Sequence, residues 1–249
     1  VTFTVLGSGT ALPTRERGPA GFLVQSNGHD VLVDGGSGTL QRLARAGVEV
    51  ATLSAGVYSH RHVDHTGDLV PLLFAFRVAG RQAAYPIYAG EGFTPFLAGL
   101  REVYGTWIEG FEVPVSQLSL KGKDRAALPG DVVLDSRPAA HSAGALHLAF
   151  TGPAGERVVF SGDTGESPAL ADLASGADLL VCECAVEAVD PRNAHLWPEA
   201  VAAIVDQARP ARVVLTHLYD ETDPERALRI VGASGVPVHR AVDGDAFGL

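Results

Sequence analysis

The sequence predicts an α/β chain, mixed β-sheets covered by helices, in a single domain over residues 1–249. The first half opens in hairpins, and the second half alternates strand with helix. With 46% hydrophobic and 19% charged residues, a large core is within reach.

The elements follow in order. "VTFTVLGSGTALPT" reads as a strand ending in a glycine-rich turn at Gly7 to Gly9. "GFLVQSNGHDVLVDGGSG" reads as a hairpin that turns at Ser26-Asn27-Gly28 and ends in a glycine loop. Thr39 to Ala46 is helical in pattern. Ala55 to Ser59 is a short strand that delivers His60, and a helix is expected to begin near Thr66. "EGFTPFLAGLREVYGTW" reads as a helix followed by an aromatic loop. Strands are then expected at Val132–Ser136, Leu146–Thr151, Arg157–Ser161, Asp178–Glu183 and Arg212–Thr216. Helices are expected near Pro168–Ala174, Pro198–Ala208 and Pro224–Ala233. No internal repeat, low-complexity tract or long linker stands out.

Composition removes several classes. No apolar run reaches 18 residues, and no charged start precedes an apolar block, which argues against a membrane span or an intact signal peptide. The cysteines, Cys182 and Cys184, are expected on opposite faces of one strand. A mutual disulfide is then implausible, and a reducing, cytoplasmic setting fits. The net charge of −10 disfavours a broad polyanion-binding surface but leaves room for a local positive site made by metal ions.

The chemistry concentrates in "YSHRHVDH". In an extended segment His60 and His62 share a side and can meet one ion. Asp64 and His65 follow as the chain turns into a helix and can reach a second ion, about 3.5–4 Å away in two-metal hydrolytic sites. Nitrogen and carboxylate donors without a thiolate suit Zn²⁺ best, with Mn²⁺ or Fe²⁺ next. His141 in "AAHSAG", Asp163 in "VVFSGDTG" and His217 in "VVLTHLY" stand at or beside strand ends, where functional groups gather on α/β scaffolds. Alone, His217 is more often a packed histidine, and Asp163 more often a turn former. The cluster upstream is what raises them to candidate ligands. His29, His147 and His239 have no such context and read as structural.

With those residues quoted, the chain resembles the metallo-β-lactamase-fold hydrolases over nearly its whole length. The opening "LGSGTALPTRERG" and the hairpin end "LVDGGSGT" resemble the ribonuclease Z branch. The resemblance implies a four-layer αββα sandwich with two metal ions at one end of the sheets. It assigns His60, His62 and His141 to one ion, Asp64, His65 and His217 to the other, and Asp163 to a bridge beside a shared hydroxide. It also implies a homodimer.

Further positions match the branch in part. "CECA" keeps Glu183 of a His-Glu-Ala-Thr segment, and "AHLWPEA" keeps His195 of a His-Ser-Thr segment whose histidine assists the leaving group. "PTRERG" has Arg15 for a Lys, keeps Arg17, and has Gly18 for an Asn. As plain residues Arg15 and Arg17 read as a solvated turn, although they could meet a phosphate. Trp107, Trp197 and Tyr219 are candidates to stack a base or shape a lid. The long Gly/Pro-rich arm that grips tRNA in the ribonucleases has no counterpart here.

The expected activity is therefore hydrolysis of a small phosphodiester, a cyclic nucleotide or cyclic phosphate, with tRNA disfavoured as a substrate. Asp64, His195 and Glu183 are expected to serve catalysis, His195 as proton donor oriented by Glu183. Ribonuclease Z activity or hydrolysis of a thioester, lactone or sulfate ester is the alternative, because the ligands do not choose among these centres. A metal-binding scaffold is disfavoured because all seven ligand positions are filled. A di-iron redox protein is disfavoured because no flavin domain is fused.

Overall fold

The computed structural model describes residues 1–119, 124–190 and 194–249. Its first half runs β1 (Thr2–Gly7), β2 (Gly21–Ser26), β3 (His29–Gly35), α1 (Thr39–Arg45), β4 (Ala55–Tyr58), α2 (Val63–Thr66), α3 (Leu69–Val78), β5 (Ile87–Gly90), α4 (Phe93–Tyr104) and β6 (Val115–Leu118). The second half opens with β7 (Asp124–Leu128), β8 (Val132–Pro138), β9 (Leu146–Thr151), β10 (Arg157–Phe160), α5 (Pro168–Leu173) and β11 (Leu179–Glu183). It closes with α6 (Pro198–Ala208), β12 (Val213–Thr216), α7 (Pro224–Gly232), β13 (Val238–Arg240) and β14 (Ala246–Gly248).

Local chemistry explains the boundaries. Asn27 and Gly28 both take positive φ, 47° and 76°, as a tight hairpin turn between β2 and β3 requires. Proline opens α5, α6 and α7 at the first turn, where its missing N–H costs nothing. At α7 the Asp223 carboxylate also accepts from the Glu225 and Arg226 amides.

The strands form two seven-stranded sheets, ordered β14-β1-β2-β3-β4-β5-β6 and β13-β12-β11-β10-β9-β8-β7. In the first sheet, pairing is antiparallel from β14 through β3 and parallel from β3 through β6. In the second it is antiparallel from β7 through β10 and parallel from β10 through β13. The two sheets thus share one strand plan, although the sequence shows no repeat.

Side-chain alternation separates the layers. Phe22, Val24, Val31 and Val33 of the first sheet meet Leu148, Phe150, Phe160 and Val181 of the second in one core. Leu23 and Leu32 point the other way, with Leu72 and Phe76 of α3 and Leu97 of α4. Leu180 and Leu215 point outward against Val201 and Val205 of α6. The result is the expected four-layer αββα order. Each such buried aliphatic or aromatic side chain is worth about 1.5–3 kcal/mol over its exposed state.

Three expectations need correction. Cys182 and Cys184 do not face opposite ways, because residues two apart on a strand share a face. Both pack in the α5–α7 core, as free buried thiols. Helix begins at Val63, not near Thr66, so Asp64 and His65 already lie on a helical turn. Strands β5, β6, β7, β13 and β14 are additional; each has three to five residues, too few for alternation to show. No helix among the described residues is long and apolar enough to cross a membrane.

Candidate metal centre

The candidate residues converge where, in each sheet, antiparallel pairing gives way to parallel. His60 follows β4, and His62 is the extended residue that caps α2, at φ −62° and ψ 151°. Asp64 and His65 belong to α2. His141 lies between β8 and β9, Asp163 follows β10, Glu183 ends β11, His195 precedes α6 and His217 follows β12. Gly36 makes this crowding possible: a Cβ there would lie 2.1 Å from the Asp64 carbonyl oxygen.

The side chains fall into overlapping sets. Donor atoms of His60, His62, His141 and Asp163 lie within 4.8 Å of one another, as do those of Asp64, His65, Asp163 and His217. Asp163 belongs to both. Its Oδ1 is 3.3 Å from His65 Nε2, and its Oδ2 is 3.5 Å from His217 Nε2, 3.8 Å from His60 Nε2 and 3.9 Å from His141 Nε2. His217 Nε2 is 3.3 Å from Asp64 Oδ2. A third set joins Glu183, His195 and His217.

The donors fit divalent cations. Among the described residues, His60 Nε2 and His65 Nε2 are buried with no hydrogen-bond partner, a costly state that a bound cation would relieve. His141 Nε2 and His62 Nδ1 converge at 3.2 Å. Five imidazoles and two carboxylates, with no thiolate, make the donor chemistry of Zn²⁺, Mn²⁺ or Fe²⁺.

Electrostatics point the same way for the first set, while the carboxylates around His65 favour its charged form. Burial, with the His65 charge next in weight, pushes His60 down to about 2. His62 and His141 are lowered, chiefly by burial, so this set favours the neutral form that ligands need. Burial alone would raise Asp64, but the hydrogen bond from His217 and the nearby imidazole charges hold it at about 2. Asp163, also opposed by burial, is held well below the usual carboxylate range by His217 and His65. Burial disfavours charge on His65 too, yet Asp163 and Asp34 outweigh it and raise its pKa well above the ordinary value.

A surrounding shell aims these rings. Asp34 Oδ2 accepts from His65 Nδ1 at 2.8 Å and from Ser59 Oγ at 2.7 Å, while Oδ1 accepts from the Ser59 amide. Ser59 Oγ lies 3.1 Å from His60 Nδ1, and the Ala194 carbonyl accepts from His141 Nδ1 at 2.9 Å. In each ring the braced nitrogen leaves Nε2 for the cluster. Asp34 and His217 both sit at positive φ, 54° and 58°, which a non-glycine residue adopts only at a cost. Sequence reasoning missed Asp34 and Ser59. The available signal was an acid ending an apolar strand before Gly35-Gly36.

His195 Nδ1 lies 3.0 Å from Glu183 Oε1 and 3.2 Å from Oε2, in contact with His141 and His217. Burial opposes its charge, but the Glu183 hydrogen bond and the surrounding carboxylates raise its pKa. Tyr219 stands beside His195 and His217, ring centroids 6.1 and 5.8 Å away. Trp197 instead packs against the α5–α7 core, and Trp107 lies exposed beside α4. Arg17 is buried rather than solvated. Its guanidinium donates to the Leu218 carbonyl and to Asp220, bracing the chain just past His217.

Residues 29–218 match the model of the β-lactamase superfamily domain. The chain belongs to the metallo-β-lactamase superfamily. Within it, a ribonuclease Z of Mycolicibacterium paratuberculosis is 30% identical over 243 residues, 87% of this chain and 85% of that protein. The metallo-β-lactamase fold protein YhfI from Bacillus subtilis superposes with a TM-score of 0.85 at 22% identity, covering 99% of this chain and 98% of its own. A diphosphatase of the PhnP family gives 0.76 at 22% identity, covering 100% and 97%. The superfamily member described here is a ribonuclease Z-like, metal-dependent hydrolase.

Proposed function

We propose that this chain is a dinuclear zinc hydrolase of small phosphodiesters, a cyclic nucleotide or cyclic phosphate. His60, His62 and His141 would hold one ion, Asp64, His65 and His217 the second, with Asp163 shared. The observation that carries the phosphorus assignment is His195, fixed by Glu183 against both ligand sets.

Bound there, two divalent ions supply a nucleophilic water at neutral pH and offset charge on the phosphoryl group. The protein supplies the rest. Asp34, Ser59 and the Ala194 carbonyl hold His65, His60 and His141 in the orientation the cluster needs. Asp64 and Asp163 stay ionised and keep the cluster's negative charge. His195 carries a proton on Nε2, with Nδ1 tied to Glu183, and gives it to the departing alkoxide oxygen. The Glu183 carboxylate is itself held by the Thr164 and Leu196 amides, so the dyad cannot swing.

Two features favour a small substrate over tRNA. The span between Asp163 and Glu183 is taken up by α5, β11 and their short connections, without a long insertion. The net charge of −10 opposes a long polyanion. Metal analysis of purified protein with assays on bis(p-nitrophenyl) phosphate, cyclic nucleotides and a precursor tRNA tests the proposal. The expected result is two zinc ions per chain and cleavage of the small esters in preference to the RNA. Two ions with no phosphodiester cleavage would sink it and move thioesters and lactones to the front.

A further inference from the structure

An apolar groove opens beside the candidate metal centre, between α3 and α4, with a volume of about 690 Å³. Its walls include Val63, Phe74, Phe96, Leu100, Tyr104 and Trp107. Val63 is 75% exposed and Trp107 64% exposed, and Phe74 meets the Trp107 ring edge-on at 6.0 Å. Large apolar side chains left in water around a concavity mark a surface built to be covered.

The groove lining begins at residues that alternate in the chain with the candidate ligands, Arg61 and Val63 beside His60, His62 and Asp64. Val63 stands between His62 and Asp64 in the chain, and both His62 and Val63 are exposed. Arg61, between His60 and His62, brings the charge at this end of the groove. Its guanidinium donates to the Gly92 and Ala143 carbonyls at 3.4 and 3.3 Å, which leaves other N–H groups of its fork to meet an anion. Gly92 suits this position because its φ is +88° and a Cβ there would lie 2.9 Å from the Arg61 guanidinium carbon. The Thr66 hydroxyl is spent on the His62 carbonyl. Few polar atoms remain along the walls, so the edges of a nucleobase would be buried unpaired there. A hydrocarbon group would not.

We propose that this groove is a substrate subsite that seats an aryl or alkyl group on a small phosphoryl anion whose charged end lies at the metal centre and Arg61. The proposal rests on the phosphodiesterase reading and narrows it, from nucleotide-like esters toward esters with an apolar substituent.

Calorimetric titration of the zinc-loaded protein with phenylphosphonate and methylphosphonate tests the subsite without turnover. Wild type is expected to bind the phenyl compound about tenfold more tightly or better. Trp107→Ala and Phe74→Ala truncate exposed rims rather than the core, and each should cut that ratio to about threefold or less. Equal affinities in wild type, or a ratio unchanged in both variants, overturn the proposal. So does a wild-type dimer that Trp107→Ala converts to monomer with a ratio near one, since the groove is then an interface between copies. Phenyl and methyl p-nitrophenyl phosphate separate the two readings. A phosphonate preference with no ester cleavage removes the phosphodiesterase and leaves the subsite. Cleavage of both esters at equal kcat/KM, with equal phosphonate affinities, does the reverse.

Discussion

His62 and His65 lie three positions apart on one turn and occupy opposite surroundings. His65 is buried, and its Nδ1 is locked to Asp34, itself locked to Ser59. His62 is exposed, and among the described residues its ring nitrogen Nδ1 faces another candidate ligand, His141. Within this one turn, His65 is therefore oriented by the fold before any ion arrives, whereas His62 has no such brace. A buried, braced ligand favours retention of metal, and an exposed one favours exchange and access for substrate.

The largest test removes what the two sides share. Asp163→Ala should lower zinc from two ions to at most one per chain and reduce hydrolysis to background. A variant that keeps two ions by elemental analysis breaks the picture of a shared carboxylate. Next, His195→Ala should leave the metal content intact and lower kcat by about 10²–10⁴ for alkyl leaving groups. A p-nitrophenolate leaving group needs no proton, so its loss should be far smaller. Equal losses for both esters would remove His195 as the proton donor.

Asp34→Asn sharpens the contrast between braced and unbraced ligands. Zinc should leave the wild type in two phases under a competing chelator, the exposed side first. Loss of the carboxylate should weaken retention in the slow phase about 10–100-fold and merge the two. A slow phase unchanged by the substitution would mean that the Asp34 contact does not govern retention.

The smallest effect lies beneath the Asp163 turn. His147 is fully buried, with Nδ1 donating to the Ser161 carbonyl and Nε2 facing Ser167 Oγ. Burial pushes its pKa from 6.5 down to about 4, so the unfolded chain takes up this proton first as pH falls. Its contribution is fully present above pH 6.5 and is lost between 6.5 and 4, by up to about 3 kcal/mol. Urea unfolding of His147→Gln should lose correspondingly less stability than wild type over that window. Parallel pH profiles for the two proteins would overturn the assignment.

Much of the centre was legible in the sequence because its ligands come as a cluster. His60, His62, Asp64 and His65 sit within six positions, and His141, Asp163 and His217 gain meaning from them. Asp34 did not show, because its partner lies 31 positions away and an aspartate before two glycines reads as a turn former. Arg17 was named in the sequence as a family match, but its bracing role was hidden for the same reason, its acceptors lying beyond β12. The αββα layering followed from the resemblance, whereas the plan shared by the two sheets did not, since it resides in pairing direction and leaves no residue pattern. The cysteine error was one of periodicity: strand neighbours two apart share a side, and Cys182 and Cys184 do so in the helix-covered core.

The shared strand plan has a mechanical corollary. His60, His62, Asp64 and His65 hang from the first sheet, while His141, Asp163 and His217 hang from the second. A cation held by this set is a rivet through the two halves at the open end of their common core. Its loading belongs to the cohesion of the protein as much as to its chemistry. Free zinc at 1,000 times its Kd would add about 4 kcal/mol against unfolding for one such site. The melting temperature of this hydrolase should then read out the metal supply around it.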